Sequence, residues 1–452
     1  MQLPRHTLTS RAPRPAFASA SFAYVGKGKD AGVVAGCATD EGFAVVHVPS
    51  LEVAIRRSFA PPCGLAHAVP LGDTSLIALV GGGEAPLFSP TQVVLWDDAY
   101  VPPARPAATT LFSLDDDGVH TSPALPATYG TPGMPVCQLE MHAPVCGVHA
   151  IAPDAAHIYL AVVLPTHALL LELTLHDTWT VKRRLRLDTA REARDVCALQ
   201  YSPSAHAVLL AVPGRTLGHV QLAQVPLDDA SVAATTIFIA SQSPVAALAL
   251  WHGGLLATAS ERGTLVRVWR IVNSPPHAAH AAPRTAIQVH LVRELRRGQD
   301  PADTHGLAFA PDAAWLASVS DKGTVHFFRC DPSAPPRTAA ERSAAKFYLP
   351  LQVFPGGEQG ADTDVQEGAW ARTAARLAAV SRGTAPRQER ASLVWQDTTL
   401  YVLTTSGACY GIVPDDGAPA SVQNAPPSMQ HLQHQCTLTH LALLAWDEDA
   451  WV

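Results

Sequence analysis

Several things are scarce in this chain, and each scarcity excludes something. Charged residues make up only 16% of the 452 positions, and the formal net charge is −7, so the molecule as a whole is no polycation. Binding to nucleic acid or to an anionic lipid surface therefore needs a local cluster of positive charge. The eight cysteines (37, 63, 137, 146, 197, 330, 409 and 436) are scattered and form no C-x-x-C pair. That spacing fits a thiol-reducing compartment better than a disulfide scaffold. No apolar run reaches the roughly 20 residues of a spanning helix. The longest candidate, 158–173, is broken by Pro165, Thr166 and His167. A Gly-rich phosphate loop before a helix, a nucleophile elbow and a His-Glu-x-x-His signature are all missing, so no motif argues for an enzyme. His431, His434, Cys436 and His440 match no standard zinc spacing, and no metal or cofactor is expected.

What is present is a chain that is 48% hydrophobic and carries 38 Pro and 30 Gly. This composition suits many short strands joined by turns. Residues 1–29 contain no acid and carry Arg5, Arg11 and Arg14, the bias of a transit peptide. Pro4, Pro13 and Pro15 spoil an amphipathic helix there, so a flexible tail over 1–19 is the plainer reading.

Repetition is the strongest signal. Four segments share a polar turn ending in Gly followed by an alternating strand: ATDEGFAVVHV (38–48), ASERGTLVRVW (259–269), VSDKGTVHFF (319–328) and TTSGACYGIV (404–413). Gly supplies positive φ in the turn, and the alternation places every second side chain on one face. A second motif is seen at Ala152-Pro153-Asp154, Ser202-Pro203-Ser204 and Ala310-Pro311-Asp312; the first two prolines lie 50 residues apart and the last two 108. Units of about 40–55 residues with several strands each predict an all-β propeller, because a lone four-stranded unit cannot bury both of its faces. Seven units are expected, near 20–60, 61–112, 143–190, 192–230, 235–272, 288–350 and 372–415. Together they form one seven-bladed, WD40-like domain over 20–452. Long inserted loops are expected near 113–140, 273–287 and 331–390.

At Arg293-Glu294-Leu295-Arg296-Arg297-Gly298 the chain resembles the PROPPIN family, the phosphoinositide-binding WD-repeat propellers of autophagy, which carry an F/L-R-R-G motif between two blades. ATASERGTLVRVW (257–269) resembles the blade strand before that motif, and LAFAPDAAWLASVSDKGTVHFF (307–328) the blade after it. LIALVGGGEAPLFSPTQVVLWDD (76–98) is similar to the second-blade signature of a Gly triplet, a Pro-bearing loop and Trp-Asp-Asp. The clear resemblance covers 20–98 and 235–330. The L-R-R-G form and the DKGTVH string resemble the branch that holds the two shorter mammalian members.

The chemistry of the motif follows from its residues. A head group carrying dianionic phosphates calls for a planar, permanently charged, bidentate donor, which is guanidinium. Neighbouring side chains on an extended strand point to opposite sides. Arg296 and Arg297 are therefore expected to serve two pockets, one on each side of their strand. The resemblance implies two head-group sites for phosphatidylinositol 3-phosphate and 3,5-bisphosphate. The first would use Thr258, Ser260, Gly263, Thr264 and Arg267 with Arg296; the second would use Ser320, Thr324 and His326 with Arg297, and Lys322 at the rim. It also implies peripheral attachment to preautophagosomal, endosomal or vacuolar membranes from the cytoplasm, a lipid-transfer protein of autophagy as partner, no nucleic acid, and a monomer. Ser241 stands where the family often has His, which weakens the expected charge of the first site. A loop within 331–370 is the expected membrane-inserting element, with Phe347, Tyr348, Leu349, Leu351, Val353 and Phe354 near Arg342 and Lys346. Residues 366–379 have helix-forming composition.

Plainer readings stand beside these. An Arg pair also ends a solvated strand, Ser and Thr also cap turns, His326 also fits a structural position, and the Phe347–Phe354 cluster also fits an outer blade strand. Trp96-Asp97-Asp98 reads as blade packing. A protein-only scaffold propeller without lipid binding is the alternative function.

Overall fold

The computed structural model describes residues 17–26, 31–59, 63–99, 110–115, 118–122, 133–154, 157–175, 179–190, 194–228, 232–274, 286–331, 340–349, 390–415 and 436–443. These residues contain strands and no helix. Seven antiparallel sheets follow one another along the chain and make a seven-bladed propeller. Blade one is Ser19–Val25, Gly32–Thr39, Gly42–Val48 and Val53–Ser58. Blade two is Leu65–Pro70, Leu76–Gly81, Gln92–Asp97 and Met134–Glu140, extended by the hairpin Thr110–Asp115 and Gly118–Ser122. Blade three is Gly147–Ile151, His157–Val163, His167–Leu175 and Trp179–Asp188, and blade four is Ala198–Ser202, Ala207–Pro213, His219–Pro226 and Ala234–Ile239. Blade five is Val245–Trp251, Leu255–Ser260, Leu265–Ser274 and Ala286–Arg296, with the short strand Glu341–Arg342 pairing parallel to its outer edge. Blade six is Thr304–Phe309, Trp315–Ser320, Thr324–Arg329 and Ala345–Tyr348, and blade seven is Ala391–Gln396, Thr399–Thr404, Ala408–Pro414 and Cys436–Leu443.

The two repeated motifs are the two hairpin turns of the blade. In the turn after the second strand, the Gly N–H donates to the carbonyl three residues earlier: Gly263 to Ser260 (2.8 Å), Gly323 to Ser320 (3.0 Å) and Gly407 to Thr404 (2.9 Å). Those glycines sit at φ of 58°, 65° and 89°, a region that side chains avoid. The Pro-bearing motif makes the turn after the first strand, where Asp154 accepts the His157 N–H and Asp312 accepts the Ala314 N–H, both at 2.9 Å.

Burial lies in the seams between blades. Each strand alternates, so each blade has two apolar faces, and each face meets a different neighbour. Leu316 and Phe328 of blade six pack with Ala257, Val266 and Leu295 of blade five, while Val325, Phe327 and Phe347 pack with Trp395, Leu400 and Tyr410 of blade seven. Leu256 and Trp269, on the other face of blade five, pack with Val220 and Leu222 of blade four. The ring closes between blades one and seven by packing rather than by a shared strand: Val33, Ala35 and Val46 meet Val394, Leu403 and Cys409. Polar bonds tie the same seam, from Phe17 N to Thr405 O (2.9 Å), Ser392 Oγ to Ala20 O (3.1 Å) and His440 Nε2 to Pro49 O (2.8 Å).

Blade boundaries differ from those expected, and the outer strand is the reason. Residues 235–239 were grouped with unit five but belong to the outer strand of blade four, Ala234–Ile239. Residues 288–296 were grouped with unit six but belong to the outer strand Ala286–Arg296 of blade five, so the 273–287 insertion lies within blade five. The insertions expected near 113–140 and 331–390 contain the outer strands Met134–Glu140 and Ala345–Tyr348, and blade seven runs on to Leu443. Outer strands face solvent more and often follow a long excursion, so their apolar rhythm is weaker and they read as parts of loops. At the other end, Phe17 is buried and Ser19 begins the first strand, so the expected tail over 1–19 overlaps the ring. Residues 1–16, 350–389 (with the helix-like 366–379) and His431 and His434 lie outside the described residues.

The seams carry the stability. Trp395 is 1% exposed and its Nε1 donates to Ala308 O at 3.0 Å across the blade six–seven seam. Trp395→Ala is expected to cost about 3–5 kcal/mol in chemical denaturation. Ile237→Ala on the outer edge of blade four, at 62% exposure, should stay within about 0.5 kcal/mol.

Candidate functional site

The outer strand of blade five places the Arg pair. Leu265 pairs with Arg296 and Arg267 with Glu294, while Val266 pairs with Leu295 and Val268 with Arg293. Because paired residues share a face, Thr258, Ser260, Arg267, Glu294 and Arg296 lie on the face carrying Leu256 and Trp269, toward blade four. Arg293 and Leu295 lie on the opposite face, toward blade six, and Arg297 follows directly after the strand, its N–H bonded to Thr264 O. Adjacent residues of the outer strand alternate between the two seams, Leu295 toward blade six and Arg296 toward blade four. Arg296 is exposed and Arg297 is 8% exposed.

On the blade-six side, Ser318 pairs with His326 and His326 with Lys346, and Thr304 pairs with Ser320 and Thr324 with Tyr348. All of these share the face of Leu316 and Phe328, toward blade five. Around Arg297 the seam therefore changes from apolar to hydroxyl-lined. Thr304, Ser318 and Ser320 are buried, and their hydroxyl oxygens meet no partner. Thr324 and His326 are buried beside them. Arg297 is anchored by its Nε–H to Gly263 O at 2.6 Å and by Nη2 to Asp300 O. Its backbone N–H donates to Thr264 O at 3.0 Å. Gly263 has to be glycine here, because a Cβ would stand 1.8 Å from Ala302 O.

Electrostatics separates the two sides. Burial pulls Arg297 below the usual guanidinium range, offset by the nearby Asp321 and Asp300 carboxylates, and the guanidinium stays charged. Burial, with Lys346 and Arg297 adding repulsion, pushes His326 down to about 3, so it is neutral at physiological pH. Its Nδ1 sits 3.3 Å from Ser343 Oγ, and its ring stacks on Phe328. Lys322 pairs with Asp321 at 3.6 Å. On the blade-four side, Arg267 donates to Glu294 at 2.7 Å and to Ala240 O at 3.0 Å. The Thr258 hydroxyl accepts from Trp269 Nε1 at 3.0 Å. The Ser241 hydroxyl turns back onto Ser243 O. The Arg296 side chain makes no hydrogen bond or ion pair among the described residues.

Two sequence expectations need correction. Phe347 is 4% exposed and Leu349 1%, both in the core between blades six and seven, so neither side chain is available to a membrane. Period-two alternation explains this, since Phe347 pairs with Val325 on the inward face. Tyr348 is 45% exposed on the Arg297 side, and Phe354 lies outside the described residues. Four residues at the two seams were not among the expected head-group ligands: Thr304, Ser318, Lys346 and Glu294. Ser318 was legible two positions before Ser320; Thr304 and Lys346 needed the inter-strand register. Trp96 is fully buried among Phe43 and Phe59, as packing requires. Among the described residues no cluster of His, Cys, Asp and Glu suits a metal ion.

A WD40-repeat family model described as BCAS3 matches residues 217–339. Curated fungal proteins called SVP1-like protein 2 are similar over more of the chain. The one from Pichia angusta is 26% identical over 346 residues, covering 76% of this chain and 78% of its own length. The one from Debaryomyces hansenii is 28% identical over 295 residues, covering 64% and 61%. These similarities support the PROPPIN resemblance seen at the Arg pair. A third relative, from Neurospora crassa, is 29% identical over 290 residues, and there the match spans only 52% of the relative. Among solved structures, Kluyveromyces lactis Hsv2 matches with a TM-score of 0.57 at 15% identity, over 95% of this chain and all of its own. A complex of KlAtg21 with the coiled-coil of AgAtg16 matches with a TM-score of 0.53 at 15% identity, over 95% and 99%. The likeness to these structures is one of fold, a complete ring of seven blades.

His326 ties the stability of the fold to pH. Above about pH 6.5 the residue is neutral both folded and unfolded and contributes no pH dependence. Below that, the unfolded chain takes up a proton that the folded site refuses until about pH 3. Stability should therefore fall as pH drops from 6.5 toward 4. His326→Gln is expected to flatten that fall, measured as melting temperature against pH.

Proposed function

We propose that this chain is a PROPPIN, a non-enzymatic effector that attaches peripherally to membranes by gripping phosphoinositide head groups. The observation that carries the reading is that Arg296, the last residue of the outer strand, and Arg297, directly after it, turn toward different seams. Each stands at its own inter-blade seam beside hydroxyl-bearing strands, and neither is held by a carboxylate within ion-pair distance among the described residues. A buried cation without an ion pair is costly, and a phosphate dianion supplies the missing charge. The two sites on one rigid body raise avidity, since the second head group binds as an intramolecular event.

The expected ligands are phosphatidylinositol 3-phosphate and 3,5-bisphosphate, with Thr258, Ser260, Gly263, Thr264 and Arg267 serving Arg296, and Ser320, Thr324 and His326 serving Arg297. Exposed Tyr348 is the one described aromatic placed to touch the interfacial zone. The proposed setting is autophagic, endosomal or vacuolar membranes, with a lipid-transfer protein of autophagy as partner. The complex of KlAtg21 with a coiled coil supports a helical protein partner as a further occupant of the ring's surface.

Sedimentation with liposomes tests the reading. Wild-type protein should pellet with vesicles containing either phosphoinositide and stay in solution with uncharged vesicles. Arg296→Thr combined with Arg297→Thr should lower binding at least tenfold, because each charge-assisted bond contributes about 1.5–3 kcal/mol. Equal pelleting of wild type and double variant would sink the lipid reading and leave the protein-only scaffold.

A further inference from the structure

The two seams flanking the Arg pair differ in how their polar groups are satisfied. On the blade-four side the candidate ligands Arg267 and Thr258, and Ser241 next to them, already have internal side-chain partners. Arg267 is bound by Glu294 and by Ala240 O, the Thr258 hydroxyl by Trp269, and the Ser241 hydroxyl by Ser243 O. A carboxylate 2.7 Å from the Arg267 Nε already neutralises that guanidinium. On the blade-six side the reverse holds. Thr304, Ser318 and Ser320 are 2%, 0% and 0% exposed, and their hydroxyl oxygens are all without a partner. A buried orphan hydroxyl is destabilising. Three on one wall, beside a buried guanidinium that donates only to two backbone carbonyls, form a site whose polar groups are complete only with a ligand present. The complement of hydroxyl donors plus one fixed cation is a small tetrahedral oxyanion with several acceptor oxygens, which is a phosphate monoester.

We propose that the two anion sites are unequal. The pocket of Arg297, enlarged by Thr304 and Ser318, is the principal phosphomonoester site, and Glu294 is a built-in counter-anion that holds the Arg296 pocket weak. This rests on the head-group reading above and adds its order of occupancy. The principal pocket takes its first phosphate on Arg297, Ser318, Ser320 and Thr304. The other pocket fills only when a ligand phosphate displaces Glu294 from Arg267.

Titration calorimetry with soluble inositol 1,3-bisphosphate, with inorganic phosphate as a parallel arm, tests this in single variants. Arg297→Thr should lower the affinity for the inositol ligand at least tenfold, and Arg296→Thr less than threefold. Ser318→Ala removes an unsatisfied hydroxyl, so it should leave the free protein's melting temperature unchanged or raised while weakening the ligand severalfold. A merely structural serine would not move the two readouts in opposite directions, and this variant keeps the test valid if Arg297→Thr misfolds. Glu294→Gln should strengthen a second binding event. Equal losses in the two Arg variants, or an unaltered affinity in Ser318→Ala, overturn the inequality while the lipid reading stands. Failure of the wild type to bind either the inositol ligand or phosphoinositide vesicles overturns both. Inorganic phosphate binding as tightly as the inositol ligand overturns the head group as the occupant.

Discussion

Everything in this molecule depends on the seam between adjacent blades. A four-stranded sheet with two apolar faces has no stable solution alone, and it is satisfied only when each face meets another sheet. Trp395 against Phe327, Leu316 against Leu295 and Trp269 against Leu222 are local instances of that constraint. Since the ring closes between Val46 and Val394 without an exchanged strand, its integrity depends on hydrophobic packing and a few cross-seam hydrogen bonds.

The candidate sites arise where this packing stops. Along the strand pair 315–320 and 324–329, the face toward blade five reads Leu316, Ser318, Ser320 and Phe328, His326, Thr324. One end of the seam is a core and the other is a polar wall, within a single strand length. The strand that faces this wall leads directly into Arg297, and the same strand's reverse face carries Arg296 into the next seam. Rigidity follows, because each ligand-bearing strand is also a core strand. The low dielectric that pushes His326 toward neutrality also strengthens the interaction of Arg297 with any anion that enters.

How far the sequence foretold this depends on how local each feature is. The turn at Ser260–Gly263 was visible because positive φ selects Gly within a few residues. The opposite directions of Arg296 and Arg297 were visible because strand alternation needs no partner to define it. Phe347 was misjudged because a short aromatic-rich segment looks alike in an outer strand and in a membrane-facing loop, and only its pairing with Val325 decides. The outer strands 134–140, 234–239 and 286–296 were detached from their blades because their partners precede them by a long or weakly patterned stretch.

The sequence by itself determined the architecture, the blade count, the turn chemistry and the identity of the guanidinium pair, because periodicity and backbone conformation are properties of neighbouring residues. Tertiary structure alone decided that Glu294 occupies Arg267, that Thr304 and Ser318 join Ser320 around Arg297, and that Phe347 lies inside. Those outcomes depend on inter-strand register and on which blade each face meets, and both are settled only when the ring has closed.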